Sequence, residues 1–178
     1  RGLIGPREVS RIWNRHLLNS AMLAPYVPAG AAVLDVGSGA GLPGIPLWLT
    51  RPDLSVTLAE PMLRRETFLR EVVDRLGVPI QVVRARATEL PPGSADVVVA
   101  RALAPLAKLI PWLLPLVKPG GTVLALKGES AAAEIGTAAP MLRQWPGSRV
   151  VLFAVGTAEL ATTIVRIDRA GTTEDDGR

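Results

Sequence analysis

The residues best suited to chemistry in this sequence are glycines and acids that cluster between positions 33 and 46. Four glycines fall within eight positions there, at Gly37, Gly39, Gly41 and Gly44. Asp35 precedes them, near the end of a short apolar run that indicates a buried strand. Glycine adopts positive φ and lets the backbone approach a ligand closely. A turn of this kind at the carboxyl end of a parallel strand is where open α/β sheets bind ligands.

The glycine turn is compatible with more than one nucleotide-like ligand. A P-loop fits poorly, because neither Lys nor Ser or Thr follows Gly44. Residues 39–44 do match Gly-x-Gly-x-x-Gly, and Glu60 stands where a dinucleotide-binding fold has an acid after its second strand. A nicotinamide or flavin cofactor therefore stays open on the motif alone.

Two features favour S-adenosylmethionine (SAM) over a dinucleotide. A dehydrogenase usually has a further substrate domain, for which 178 residues leave no room. The run from Asp35 through Gly37 and Ser38 to Gly39 is typical of SAM-dependent methyltransferases, whose glycines admit the methionine part of the cofactor. Glu60 would then accept hydrogen bonds from both ribose hydroxyls, which a carboxylate can do with its two oxygens. The alternative for Glu60 is a solvated acid near a helix N-terminus.

Elements that position this turn alternate along the chain. We predict an N-terminal helix over about 6–25 and a disordered tail over 171–178, with one domain spanning 1–170. Strands are predicted at 31–36, 54–59, 80–84, 95–100, 122–126, 149–155 and 162–168, with helices at 41–50, 61–76, 103–117 (broken by prolines) and 130–145. The alternation implies a parallel sheet covered by helices on both faces, and a closing hairpin adds one antiparallel strand at the edge. This α/β arrangement resembles the three-layer, seven-stranded, Rossmann-like fold of class I SAM-dependent methyltransferases.

Composition indicates one globular domain that works without cysteine chemistry. Hydrophobic residues make up 48% of the chain, and there is no cysteine, which excludes disulfides, thiolate metal sites and Cys nucleophiles. No apolar run reaches the ~18 residues of a membrane-spanning helix. We expect no membrane, no metal, a cytoplasmic location and a monomer, with all four tryptophans in the core or semi-buried. The net charge of +4 is compatible with nucleic-acid binding, and also with the Arg-rich usage of a GC-rich genome.

Further motifs point to a narrower family. The glycine turn extends into Leu42-Pro43-Gly44-Ile45-Pro46, Arg15-His16 stands upstream, and Arg101-Ala102 and Leu126-Lys127-Gly128 follow in order. Over about residues 12–128 the chain is similar to the RsmG (GidB) family of bacterial 16S ribosomal RNA guanine-N7 methyltransferases. It departs from the family's usual Asp at Asn19, and from the family's usual Arg-Val-Glu-Glu at residues 86–89.

The resemblance implies roles for particular residues. Residues implied to bind SAM are Gly37, Ser38, Gly39, Leu42, Glu60, Ala87, Thr88 and Arg101. From their charge, we expect arginines to contact the partner, 16S rRNA or the small ribosomal subunit: Arg7, Arg11, Arg15, Arg64 and Arg65. His16 and Lys127 are further candidates for RNA contact, with a packing residue as the alternative for His16 and a surface lysine as the alternative for Lys127. Guanine N7 carries a lone pair at neutral pH, so no catalytic side chain is required, and Arg101 is the one candidate. A small-molecule methyltransferase, an NAD-dependent oxidoreductase and a SAM-binding protein without chemistry are the alternatives.

Overall fold

A seven-stranded sheet forms the centre of the computed structural model, which describes residues 12–101, 103–128, 130–156 and 161–171. The strand order is β3-β2-β1-β4-β5-β7-β6. The strands are β1 (Ala32–Val36), β2 (Ser55–Ala59), β3 (Gln81–Val83), β4 (Ala95–Arg101), β5 (Val117–Lys127), β6 (Arg149–Val155) and β7 (Thr162–Asp168). Every predicted strand is present, and the predicted seven-stranded, mostly parallel α/β sheet is confirmed.

The position of the antiparallel strand differs from the prediction. Strands β1 to β5 run parallel, whereas β7 is antiparallel to both β5 and β6, which it separates. The antiparallel strand is therefore inside the sheet, and β6 is the edge strand. Burial explains the order: Ile164, Val165 and Ile167 of β7 are at most 1% exposed, whereas β6 has no fully buried residue.

Helices cover both faces of the sheet and give the three predicted layers. They are α1 (Asn19–Ala21), α2 (Gly44–Thr50), α3 (Leu63–Leu76), α4 (Leu106–Leu113) and α5 (Ala131–Leu142). One core joins Leu47 of α2 and Leu69 of α3 to Val97 of β4. The other core joins Leu109 of α4 and Ala138 of α5 to the opposite face of the same sheet. Among the described residues no helix is long and apolar enough to cross a membrane.

The N-terminal segment is not the single regular helix that the apolar spacing predicts. Residues Ile12–Leu18 form a π-helical segment, Asn19–Ala21 one α-helical turn and Ala24–Tyr26 a 3-10 turn. Ser20 Oγ donates to the carbonyl of His16 at 2.6 Å, and the Arg101 side chain binds the carbonyls of Arg15 and His16. These side-chain donors engage carbonyls within the π-helical segment. Residues 6–11 of the predicted helix and most of the predicted tail lie outside the described residues.

Candidate functional site

The glycine turn lies where β1 ends, and it is bonded to the end of β2. Gly37 and Ser38 both donate their backbone N–H to the carbonyl of Ala59, at 2.9 and 3.2 Å. Gly37 and Gly39 have φ of 69° and 60°, which favour glycine. A Cβ on Gly39 would meet nothing closer than 3.8 Å, whereas a Cβ on Gly44 would lie 2.8 Å from Asp35 Oδ2. Gly39 therefore faces open space, and Gly44 serves close packing of helix against strand.

Glu60 lies directly beneath this turn, with only 2% of its surface exposed. Its Oε2 accepts the backbone N–H of Gly39 at 3.0 Å, and its Oε1 accepts that of Met62 at 3.0 Å. Each carboxylate oxygen keeps a second lone pair. Glu60 therefore ties the end of β2 directly to the glycine turn, and its predicted contact with ribose hydroxyls stays a prediction.

Asp35 holds the turn from inside the protein. Its Oδ2 accepts hydrogen bonds from Ser38 Oγ at 2.6 Å and from the backbone N–H of Gly44 at 2.9 Å. Burial raises the pKa of Asp35 to about 6; the two hydrogen bonds oppose the rise, and the nearby charge of Glu60 adds to it. Its Oδ1 has no hydrogen-bond partner among the described residues. The Ser38 hydroxyl, predicted to bind cofactor, is thus directed at Asp35.

The remaining predicted cofactor residues lie in the glycine turn itself and in a turn that follows β3. Leu42 donates its N–H to the carbonyl of Ser38 at 3.0 Å, which closes the turn before α2. Ala87 and Thr88 form a 3-10 turn with Glu89 after β3, the strand next to β2. Ala87 packs against the core, and Thr88 is exposed.

Arg101 points to the N-terminal segment. Its Nη1 donates to the His16 carbonyl at 3.1 Å and to Ser20 Oγ at 3.3 Å, and its Nη2 donates to the Arg15 carbonyl at 3.1 Å. Nη2 also contacts His16 Nδ1, and because a guanidinium only donates, that nitrogen is the acceptor. Arg101 therefore fastens the π-helical segment to the end of β4, and the cofactor contact that the resemblance implies stays a prediction.

Lys127 binds partners inside the protein, and its predicted contact with RNA stays a prediction. Its side chain is 7% exposed, and its Nζ donates to the carbonyl of Ala104 at 2.6 Å and to Glu134 Oε2 at 2.7 Å. Glu134 also accepts the N–H of Leu106 at 2.8 Å and the hydroxyl of Ser130 at 2.9 Å. Burial raises the pKa of Glu134, but these hydrogen bonds, led by that from Lys127, outweigh it and leave the pKa below its ordinary value.

A cleft of about 850 Å³ opens at the same edge of the sheet, past the ends of β4 and β5. Asn14, Arg15 and Asn19 of the N-terminal segment form one side of it. Ala104, Lys127 and Glu134 contribute to the other. The cleft is therefore built by the segment that Arg101 holds and by the loop that Lys127 binds.

The other arginines predicted to contact RNA lie in different parts of the chain. Arg15 is exposed and lines the cleft, and Arg64 and Arg65 stand in the first turn of α3 at the same sheet edge. Arg7 and Arg11 lie outside the described residues. The prediction that every tryptophan is at least semi-buried is wrong for Trp13, which is 69% exposed on the π-helical segment.

Three residues of the site were not predicted from the sequence. Glu134 is the single acid in a helix of small and apolar residues, a signal that marks it as unusual. Leu103 follows Arg101 and contacts Gly37, and Met62 follows Glu60 and binds it through its N–H. Among the described residues no group of three or more His, Cys, Asp or Glu side chains could hold a metal ion.

Comparison with solved structures supports the fold. A methyltransferase from Pyrococcus furiosus matches with a TM-score of 0.70 at 15% identity, over 86% of this chain and 83% of the other. A SAM-dependent methyltransferase from Aquifex aeolicus matches with a TM-score of 0.64 at 20% identity, over 90% of this chain and 93% of the other. Identities this low support the architecture alone.

Comparison of sequences supports a family. A protein of Thermobifida fusca named ribosomal RNA small subunit methyltransferase G is 54% identical over 171 residues, 94% of this chain and 72% of the relative. One of the same name from Rhodococcus jostii is 50% identical over 175 residues, 95% of this chain and 77% of the relative. The family model described as GidB, rRNA small subunit methyltransferase G, matches residues 1–148. The predicted resemblance is confirmed, and the chain belongs to this family.

Proposed function

We propose that this protein transfers a methyl group from SAM to N7 of a guanine in 16S ribosomal RNA. One observation carries the proposal: the glycine turn and the cleft lie at the same edge of the sheet. The turn, whose Gly39 is hydrogen-bonded to Glu60, and the cleft of about 850 Å³ are both at the carboxyl ends of the parallel strands. Family membership supplies the class of substrate. An NAD-dependent oxidoreductase is disfavoured by the family and by the antiparallel β7 inside the sheet.

The residues present at the turn fit SAM. Gly39 leaves open space above the turn, and Glu60 has two oxygens with lone pairs to spare for ribose hydroxyls. Because Glu60 is only 2% exposed, the groups that cover it must move before a hydroxyl reaches it. Asp35 Oδ1 is a further acceptor without a partner among the described residues. We assign Ala87 and Thr88, in the 3-10 turn after β3, to the adenine end of SAM, a role that the resemblance implies.

The chemistry asks little of the side chains beyond position. Bound SAM supplies an electrophilic methyl group: the N7–carbon bond forms, the carbon–sulfur bond breaks with its electrons left on sulfur, and the guanine becomes cationic. N7 needs no deprotonation, so no general base is required. This agrees with the cleft, where Lys127 and Glu134 are bonded to each other. Orientation alone supplies effective molarities of roughly 10^5 M or more.

RNA contact is assigned to the basic side chains around the site. Arg15 lines the cleft, and Arg64 and Arg65 stand beside Met62 and Leu63, which are 54% and 56% exposed. Arginine forks match phosphate geometry. A small-molecule methyltransferase has no need of such a rim.

The test is methylation of 16S rRNA and of small ribosomal subunits in vitro, located by mass spectrometry. We expect one N7-methylguanine per rRNA. Glu60→Gln should weaken SAM binding by about 10- to 100-fold, since hydrogen bonds to a charged group contribute roughly 1.5–3 kcal/mol. Asp74→Asn, which alters an exposed acid on α3, should leave it unchanged.

Two outcomes would contradict the proposal. Methylation of small molecules but not of either RNA substrate would favour the small-molecule alternative. SAM binding without transfer to any substrate would indicate a binding protein that lacks the chemistry. Unchanged SAM affinity in Glu60→Gln would remove that residue from the site.

A further inference from the structure

Residues 103–105, which we call the partition segment, separate the glycine turn from the cleft. On one side, Leu103 lies against Gly37 so closely that a Cβ on Gly37 would be 2.5 Å from its Cδ1. On the other side, Ala104 and Pro105 line the cleft. The partition segment therefore contacts the turn through Leu103 and the cleft through Ala104 and Pro105.

The Lys127–Glu134 pair grips the partition segment on both sides of Pro105. Lys127 donates to the carbonyl of Ala104 at 2.6 Å, and Glu134 accepts the N–H of Leu106 at 2.8 Å. The two side chains are joined at 2.7 Å and are 7% and 20% exposed. The pair thus links the end of β5 and the first turn of α5 to one short stretch of main chain.

We propose that the Lys127–Glu134 pair is a positioning device that sets the partition segment, and with it the distance between the methyl donor and the target base. The inference rests on the proposed function. It gives Lys127 a role in the reaction rate through Ala104 and Leu103, without contact to RNA.

Disruption of the Lys127–Glu134 pair should affect the rate of methyl transfer more than it affects the binding of SAM or RNA. Misplacement of reacting groups by about 1 Å can cost on the order of 100-fold in rate. Removing one member of a buried pair leaves the other charge without compensation, so the loop must rearrange to solvate it. A phosphate contact for Lys127 would instead require RNA to displace both Glu134 and the Ala104 carbonyl.

The experiment compares Lys127→Met, Glu134→Gln and the double variant with Lys118→Met. Lys118 is the matched control, because it lies in the same strand and pairs with Asp96 at 2.7 Å, yet this pair is on the surface at the other edge of the sheet. Methyl transfer to 16S rRNA gives kcat and KM, calorimetry gives the SAM Kd, and hydrogen exchange reports the amide of Leu106.

Each single variant should lower kcat by about 10- to 100-fold and shift KM for rRNA and the SAM Kd by less than about threefold, as expected for lost orientation. The double variant should be no slower than the slower single variant, because both substitutions break one unit. Exchange at Leu106 should accelerate in these variants and stay unchanged in Lys118→Met.

Separate results would overturn the inference. If Lys127→Met raises KM for rRNA while Glu134→Gln keeps wild-type kcat, Lys127 acts on RNA. If Lys127→Met fails to fold, the near-isosteric Glu134→Gln decides alone, and a normal kcat contradicts the inference. An inactive wild-type protein contradicts the proposed function instead, and exchange at Leu106 still tests whether the pair holds the segment.

Discussion

Asp35 shows how one buried acid supports the ligand-binding turn at the expense of stability. Its carboxyl receives Ser38 and Gly44 on one oxygen, while the other oxygen has no partner among the described residues. Burial raises its pKa from 3.8 to about 6. The protonated form is therefore favoured in the folded protein, and its contribution to stability is complete below pH 3.8 and lost as the pH rises through about 6.

We predict that the free energy of unfolding of Asp35→Asn increases relative to that of the wild type as the pH rises from about 4 to 7. One pKa unit corresponds to about 1.4 kcal/mol, so the difference in unfolding free energy should shift by up to about 3 kcal/mol over this window. Weaker hydrogen bonds of the amide to Ser38 and Gly44 add an offset that does not depend on pH. Denaturant titrations of both proteins at several pH values measure this, and a difference that stays constant contradicts the raised pKa.

At the residue scale, the sequence predicts which side chains lie at the carboxyl edge of the sheet better than it predicts their hydrogen-bond partners. Glu60 and Gly39, both predicted to bind one cofactor, lie in direct contact, because carboxyl ends of adjacent parallel strands share one edge. Lys127 and Arg101 also lie at that edge, but their partners come from α5 and from the N-terminal segment. No spacing rule fixes such contacts, since they depend on how separate helices pack.

At the scale of elements, the N-terminal segment shows tertiary structure overriding local periodicity. The apolar spacing predicts one regular helix, yet a guanidinium more than 80 positions away binds the Arg15 and His16 carbonyls of a π-helical segment. Segments of π-helix are rare in proteins overall, but those that do occur are often found at functional sites. The strands were predictable because each is a short apolar run between turn residues, whereas the order of β6 and β7 depends on which strand the sheet buries.

Replacing Arg101 with Lys tests this role of the segment. Lysine cannot reproduce the forked contacts to Arg15, His16 and Ser20, so hydrogen exchange over residues 12–21 should accelerate by at least about tenfold, which corresponds to about 1.4 kcal/mol. Methylation of rRNA should fall because the segment forms one side of the cleft, while SAM affinity should hold.

The control for this prediction is Arg166→Lys, which changes the partly buried pair of this arginine with Asp168 on β7. It should leave exchange over residues 12–21 unchanged. If Arg101→Lys weakens SAM binding and leaves that exchange unaltered, Arg101 contacts the cofactor as the family resemblance implies.

At the scale of the whole molecule, net charge is a poor guide to the RNA-binding surface. Many basic side chains are already hydrogen-bonded to carboxylates or main-chain carbonyls of the protein. The basic side chains with such contacts include Arg51, Arg70, Arg101, Lys118, Lys127, Arg166 and Arg169. Arg64 and Arg65 differ, because they stand in the first turn of α3, where the helix dipole disfavours a cation. A position unfavourable for the helix indicates a role outside it.

We therefore predict that Arg64→Ala combined with Arg65→Ala weakens rRNA binding without loss of stability. Removing two phosphate contacts to single-stranded RNA should flatten the slope of log affinity against log salt by about 1.4. Relief at the helix N-terminus should raise the free energy of unfolding slightly, by about 0.3–1 kcal/mol per residue at most.

Arg75→Ala is the matched control, because Arg75 lies in the last turn of the same helix, where a cation is favoured. It should lower stability slightly and keep the salt slope. Fluorescence anisotropy of labelled rRNA fragments across salt concentrations measures both slopes. Equal slopes in the two variants would place the RNA on another face of the protein.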